Sequence, residues 1–91
     1  LRGRNVKSVH TVCNRAFEIV ECDVSKDGKV AGKKIKDISV PGEFLVLLVK
    51  RKGESDYFMP TGDTLLGEED RAVIAVKSGD IRTIRKFAGR K

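Results

Sequence analysis

The chain has no tryptophan, one tyrosine and four phenylalanines among its 91 residues. With so few aromatics, its core must rest on Val, Ile and Leu. Long apolar runs are also missing. The longest, residues 44–49 (Phe-Leu-Val-Leu-Leu-Val), falls far short of the roughly 20 residues that a membrane-spanning helix needs. The opening residues show no signal- or transit-peptide pattern. The start at Leu1 rather than Met is expected to reflect trimming from a longer polypeptide.

Chemistry-bearing residues are equally sparse. His10 is the only histidine, and Cys13 and Cys22 are the only cysteines. With no second cysteine pair, a four-ligand zinc site would need several other ligands. The two cysteines read as buried or half-buried thiols in a reducing cytosol; if their strands pair, they could come close enough to bridge. His10 lies in a basic strand with no orienting group, so a nucleophile–base pair is hard to assemble. Gly28, Gly32 and Gly42 form no phosphate-cradling motif after a strand. Asp63, Glu68, Glu69 and Asp70 cluster carboxylates in one loop, but their spacing is not that of a calcium loop, and a solvated acidic turn is expected. A binding role is therefore expected rather than an enzyme.

What the sequence does have is charge. Nineteen basic and thirteen acidic residues leave a net +6, and 35% of the chain is charged against 40% hydrophobic. That balance suits a globular domain and argues against wholesale disorder. Ninety-one residues make one domain: 1–91, with 1–15 an N-terminal linker and first strand and 16–88 the core. The basic excess gathers at the ends, in Arg2, Arg4, Lys7 and Arg15, then Arg82, Arg85, Lys86, Arg90 and Lys91. A small basic nucleic-acid-binding module is one reading of such clusters. No aromatics are interleaved to stack bases, so solvated surface charge is expected and nucleic acid is not the expected partner.

The hydrophobic periodicity gives the element order. Residues 6–12 read as a short strand, and Asn14 suits a turn after it. Residues 16–24 form a stronger strand whose apolar phase flips at Ile19-Val20, where a β-bulge or change of partner is expected. After a turn at residues 25–28, Ile35 and Ile38 mark one to two turns of amphipathic helix within 32–38, closed by Pro41-Gly42. The run 44–49 is a strand apolar on both faces. A hairpin around Gly53 returns through Tyr57-Phe58-Met59, which Pro60 ends or marks as an edge. Residues 72–76 are a second apolar strand. Ser78 or Asp80 can cap a final helix over 80–88, with Ile81, Ile84 and Ala88 or Phe87 on its apolar face, Arg85 and Lys86 at its negative end and Gly89 at its C-cap. The fold class is α+β, a small mainly antiparallel sheet with two short helices.

Both faces of strand 44–49 must be covered. Two short helices can cover one face of the sheet. The other needs a partner chain, unless the first hairpin and the loop 61–70 cover it, because a large bare apolar patch is unusual in a soluble monomer. A homodimer is the expectation.

The order and spacing of several segments resemble the TrkA-C domain, the C-terminal lobe of regulators of potassium conductance. They are Phe17-Glu18-Ile19-Val20-Glu21, then Ala31-Gly32-Lys33-Lys34-Ile35-Lys36-Asp37-Ile38, then the strand from Leu45 with Lys50-Arg51. Met59-Pro60, Asp63-Thr64-Leu65-Leu66-Gly67-Glu68-Glu69-Asp70 and the strand 72–76 follow. The resemblance covers roughly residues 6–88. It implies a cytoplasmic, ligand-sensing, dimerising lobe of a potassium transport or channel system. That lobe would be held at the inner face of the membrane through a membrane-embedded cation transporter or channel subunit. In such regulators NAD or ATP binds an upstream Rossmann-type lobe. Some relatives bind a small nucleotide, cyclic di-AMP, at the dimer interface of this lobe, and the matching positions here are Ile38, Phe44, Leu45 and Pro60. Those binders place an arginine just after the Asp-Ile pair, where this chain has Ser39 and Val40. Similar lobes recur on anion transporters and cation/proton antiporters.

Overall fold

The computed structural model describes residues 5–89, so Arg2, Arg4, Arg90 and Lys91 of the basic ends lie outside the described residues. Five strands and two helices follow in the expected order: β1 (Val6–Val12), β2 (Phe17–Asp23), α1 (Ile35–Ile38), β3 (Phe44–Lys50), β4 (Tyr57–Phe58), β5 (Arg71–Lys77) and α2 (Ile81–Ala88). All the strands join one antiparallel sheet of order β1-β2-β5-β3-β4. The central position of β5 explains its composition. Its alternate residues Ala72, Ile74 and Val76 are buried on one face, while Val73 and Ala75 lie on the other.

Register assigns the faces. Val20 lies opposite Ile74, and Cys22 opposite Ala72. Phe44 and Val46 meet Val76 and Ile74 from the other side. These residues form the core face. Phe17, Ile19 and Glu21 of β2 fall on the outer face with Ala75 and Val73.

The expected bulge at Ile19-Val20 does not occur. β2 runs in unbroken register against β5 from Phe17–Lys77 to Asp23–Arg71. The flip of phase had another cause. Both faces of the sheet are apolar at this end, so Phe17 and Ile19 look outward while Glu18 is buried inward. The register shifts fall instead in the neighbouring strands, between Val6 and Ser8 and between Val46 and Leu48. The latter leaves Leu47 unpaired, and its extra residue lets both Val46 and Val49 reach the core face.

Three elements close the core face. α2 contributes Ile84, Phe87 and Ala88, all buried, and the Phe87 ring meets Phe44 edge-on at 5.6 Å. Asp80 caps the helix by accepting from the Thr83 amide at 3.1 Å and the Thr83 hydroxyl at 2.6 Å. α1 is a single turn, the shorter of the one to two turns that the periodicity predicts, because the residues before it are spent otherwise. Segments 32–36 and 62–66 run together: Gly32 N donates to Leu66 O, Leu66 N to Lys33 O, and Lys36 N to Gly62 O, all at 2.8–2.9 Å. This pairing carries Leu66 into the core, where it is fully buried. The loop 61–70 thus covers the core face and leaves the outer face as it was.

Candidate functional site

The outer face is divided by chemistry. Toward one end it is apolar: Ile19, Val73, Ala75 and Leu48 are half-buried, and Leu45 is 62% exposed and Phe17 41% exposed. Toward the other end it is a polar network that crosses all five strands. The Tyr57 hydroxyl donates to the Glu21 carboxylate, which also accepts from the Ser8 hydroxyl at 3.1 Å. Arg71 Nε donates to Asp23 at 2.7 Å, Lys7 pairs with the same carboxylate at 3.6 Å, and the Lys50 ammonium sits 5.4 Å from the Tyr57 ring centre. The Tyr57 hydrogen bond holds the Glu21 carboxyl below its ordinary range; partial burial opposes this, and Ser8, Arg71 and Lys50 assist it. Burial, then the bond to Glu21, pushes the Tyr57 hydroxyl up.

At the apolar end a hollow of about 510 Å³ opens between the sheet and the turn before β3. Phe17, Phe44, Leu45, Ala75 and Lys77 line its sheet side, and residues 39–43 form its rim. The rim is shaped locally. Both the amide and the hydroxyl of Ser39 donate to Ile35 O, at 3.0 and 2.8 Å, which closes α1. Gly42 then takes φ +85°, a left-handed turn that glycine adopts without strain. The result is a greasy slot with one ammonium, Lys77, and one carboxylate, Glu43, at its margin. Such a hollow offers apolar contact with one charge of each sign at its margin.

Of the four positions expected around a ligand, the structure brings Phe44 and Leu45 together in this hollow. Ile38 stands just before the rim and packs against the core. Pro60 follows β4, which pairs with the far end of β3 through Val49 and Lys50, so within this chain it lies away from the hollow. Phe17, Ala75 and Lys77 were missed by sequence reasoning. The out-of-phase Phe17 was a signal, but only the β2–β5 register places it beside Ala75 and Lys77.

The cysteines and the acidic loop also resolve. β1 and β2 do pair, yet Val12 meets Phe17 and Val6 meets Cys22, which leaves Cys13 in the turn at the opposite end of the hairpin. Both thiols are free, with Cys13 exposed rather than half-buried. Burial, with Asp23 and Glu21 nearby, pushes the Cys22 thiol up to about 12. The loop carboxylates disperse to separate cations: Asp63 to Lys36 at 2.9 Å, Glu69 to Lys52 at 3.4 Å and Asp70 to Arg51 at 2.6 Å. Asp70 is buried, not solvated as expected, and it also accepts from the amides of Gly67 and Lys52. No helix among the described residues is long and apolar enough to cross a membrane.

The sequence is similar to known proteins. Residues 19–89 match the family model described as the TrkA-C domain. The chain is 28% identical over 74 residues to the Trk system potassium uptake protein TrkA homolog of Pyrococcus abyssi, covering 81% of this chain and 32% of that protein. It is 31% identical over 81 residues to the TrkA homolog of Archaeoglobus fulgidus, covering 89% of this chain and 18% of the relative. Against the Trk system potassium uptake protein TrkA of Azorhizobium caulinodans it is 27% identical over 86 residues, 94% of this chain and 18% of that one. The chain therefore spans a third or less of these relatives. A family match over residues 19–89, well over half of the chain, establishes that the chain belongs to the TrkA-C domain family.

Proposed function

We propose that this chain is a regulatory lobe of a potassium-uptake system, one that binds a small ligand and pairs with a second copy of itself rather than catalysing a reaction. The observation that carries this reading is the position of the 510 Å³ hollow. It opens directly onto the bare apolar part of the outer sheet face, where Leu45 is 62% exposed. A second chain against that face would bury Leu45 and Phe17 and roof the hollow at once. Each such side chain contributes about 1.5–3 kcal/mol when fully buried. Ligand binding between the two copies then shifts their relative geometry, because a ligand favours the arrangement it contacts best. A membrane-embedded transporter or channel subunit is the partner that reads this shift, and the lobe works at the cytoplasmic face. The relatives named as potassium uptake proteins support potassium as the transported ion.

The test is sedimentation equilibrium at micromolar concentration together with calorimetric titration of cyclic di-AMP, AMP and ATP. The expected outcome is a dimer that binds one of these saturably, with binding and self-association both lost in Leu45→Arg. A strict monomer removes the structural basis of the reading. A dimer that takes up none of the three removes nucleotide sensing.

A further inference from the structure

The side of the molecule opposite the open sheet face carries a second surface. α2 packs Ile84, Phe87 and Ala88 onto the core face, so its other side, with Arg82 and Arg85 exposed, points away from the sheet. The loop 25–30 lies against the end of this helix and adds Lys29. Together Lys29, Arg82, Arg85 and Lys86 line a hollow of about 240 Å³ with Asp27 and Gly89. Lys29 is distant in sequence, and only the fold brings it to the helix.

These cations are not spent inside the molecule. Arg85 and Lys86 stand in the last turn of the helix, as its negative end favours, and its last carbonyls take their hydrogen bonds from other donors. Gly89 N donates to Arg85 O at 2.9 Å, Val30 N to Lys86 O at 3.2 Å, Ser25 N to Phe87 O at 2.8 Å and Asn5 Nδ2 to Ala88 O at 2.7 Å. All four carbonyls that a helix end leaves open are thereby satisfied. The approach is close: a Cβ at Gly28 would meet Lys86 O at 2.7 Å and Phe87 O at 2.8 Å. None of the four cations takes part in an ion pair among the described residues. Of the neighbouring carboxylates, Asp27 accepts from the Ser25 hydroxyl and Asp80 caps α2, while Glu43 lines an adjoining hollow with Arg82 and Lys86. Arg82 and Lys86 do act on Asp80 at longer range, helping to lower its carboxyl against the larger, opposing effect of burial.

We infer that this basic side of α2, with Lys29, docks on an anionic phospholipid surface. Charge complementarity selects the class of partner, since four cations line one small hollow and a lipid phosphate is the matching group. Each such residue held near an anionic bilayer strengthens partitioning about fivefold. The helix's apolar face is already buried in the core, so the contact is electrostatic and peripheral, without insertion. Nucleic acid is the weaker fit, because no aromatic side chain lines the hollow to stack a base. The outer sheet face lies on the other side and stays open for a protein partner while this side meets lipid. The inference stands apart from the regulatory reading, since bare vesicles test it.

The experiment is co-sedimentation of the 91-residue chain with vesicles of phosphatidylcholine alone or with about 30% phosphatidylglycerol. Binding is expected only to the anionic vesicles and is expected to be lost between about 0.1 M and 0.5 M salt. Lys29→Glu and Arg85→Glu alter exposed side chains and should each weaken it at least fivefold. Lys52→Glu makes the same change in net charge at the β3–β4 turn, outside the hollow, and should leave it within about twofold. Absent or equal binding to the two vesicle types overturns the inference. So does an effect of Lys52→Glu equal to that of Lys29→Glu, or tighter retention on duplex DNA than on the anionic vesicles.

Discussion

The two faces of the sheet are built from alternate residues of the same strands, and both are rich in Val, Ile and Leu. On the core face Val20, Val49, Ile74 and Val76 are at most 1% exposed, because α2, α1 and the loop 61–70 cover them. On the outer face Leu45, one residue from Phe44 in the same strand, is 62% exposed. Side-chain hydrophobicity does not separate these neighbours. What differs is whether the rest of the chain crosses over that face, and every crossing element here lies on the core side. A large bare apolar face is unusual in a soluble monomer.

Four substitutions should sharpen this contrast, beginning with the largest effect. Phe87→Ala removes a fully buried ring from against Phe44 and should lower the unfolding free energy by about 3–5 kcal/mol, read by urea denaturation. Asp70→Ala strands the Arg51 guanidinium and the Gly67 and Lys52 amides, and should cost about 2–3 kcal/mol and speed hydrogen exchange at those amides. Tyr57→Phe takes one hydrogen bond from the polar end of the outer face, a loss of about 1 kcal/mol. Leu45→Asp should change the stability of the monomer by less than about 1 kcal/mol, since most of the side chain is already exposed. A large destabilisation by Leu45→Asp in dilute, monomeric protein would erase the distinction between the faces.

The polar network makes a further prediction in pH. The Glu21 carboxyl lies below its ordinary 4.5 in the folded chain, so folding favours its ionised form. That contribution is complete above the unfolded value and is lost as pH falls through the lower, folded one. Urea midpoints measured across the acid range should therefore decline on acidification, and Glu21→Gln should flatten that decline. An unchanged acid limb in Glu21→Gln would show that the bond to Tyr57 is not made in solution.

Part of the candidate hollow was legible in the residues, within limits that have physical causes. The two-faced strand at 44–49 announced an uncovered face, and Phe44 and Leu45 do line the hollow beside it. Pro60 sits at the other end of β3, because strand order, which no local pattern carries, decides where a hairpin returns. Glu18 and Phe17 misled the phase of β2 because apolar residues mark burial only when one face alone is buried. Asp70 looked like one more acid in an acidic loop. Its burial depends on Arg51, nineteen residues away in sequence.

The sequence by itself determined which segments are strands and which are helices, their order, a helix cap at Ser78 or Asp80 and the presence of one apolar face too many. Those properties reside in short-range periodicity and in the chemistry of single side chains. Only the tertiary structure decided which face stays open and that Phe17, Ala75 and Lys77 complete the hollow. It alone also decided that Lys29 joins Arg82, Arg85 and Lys86 at the end of α2. Each of these depends on hydrogen-bond register and packing between residues far apart in the chain, for which neither period 2 nor period 3.6 leaves a trace.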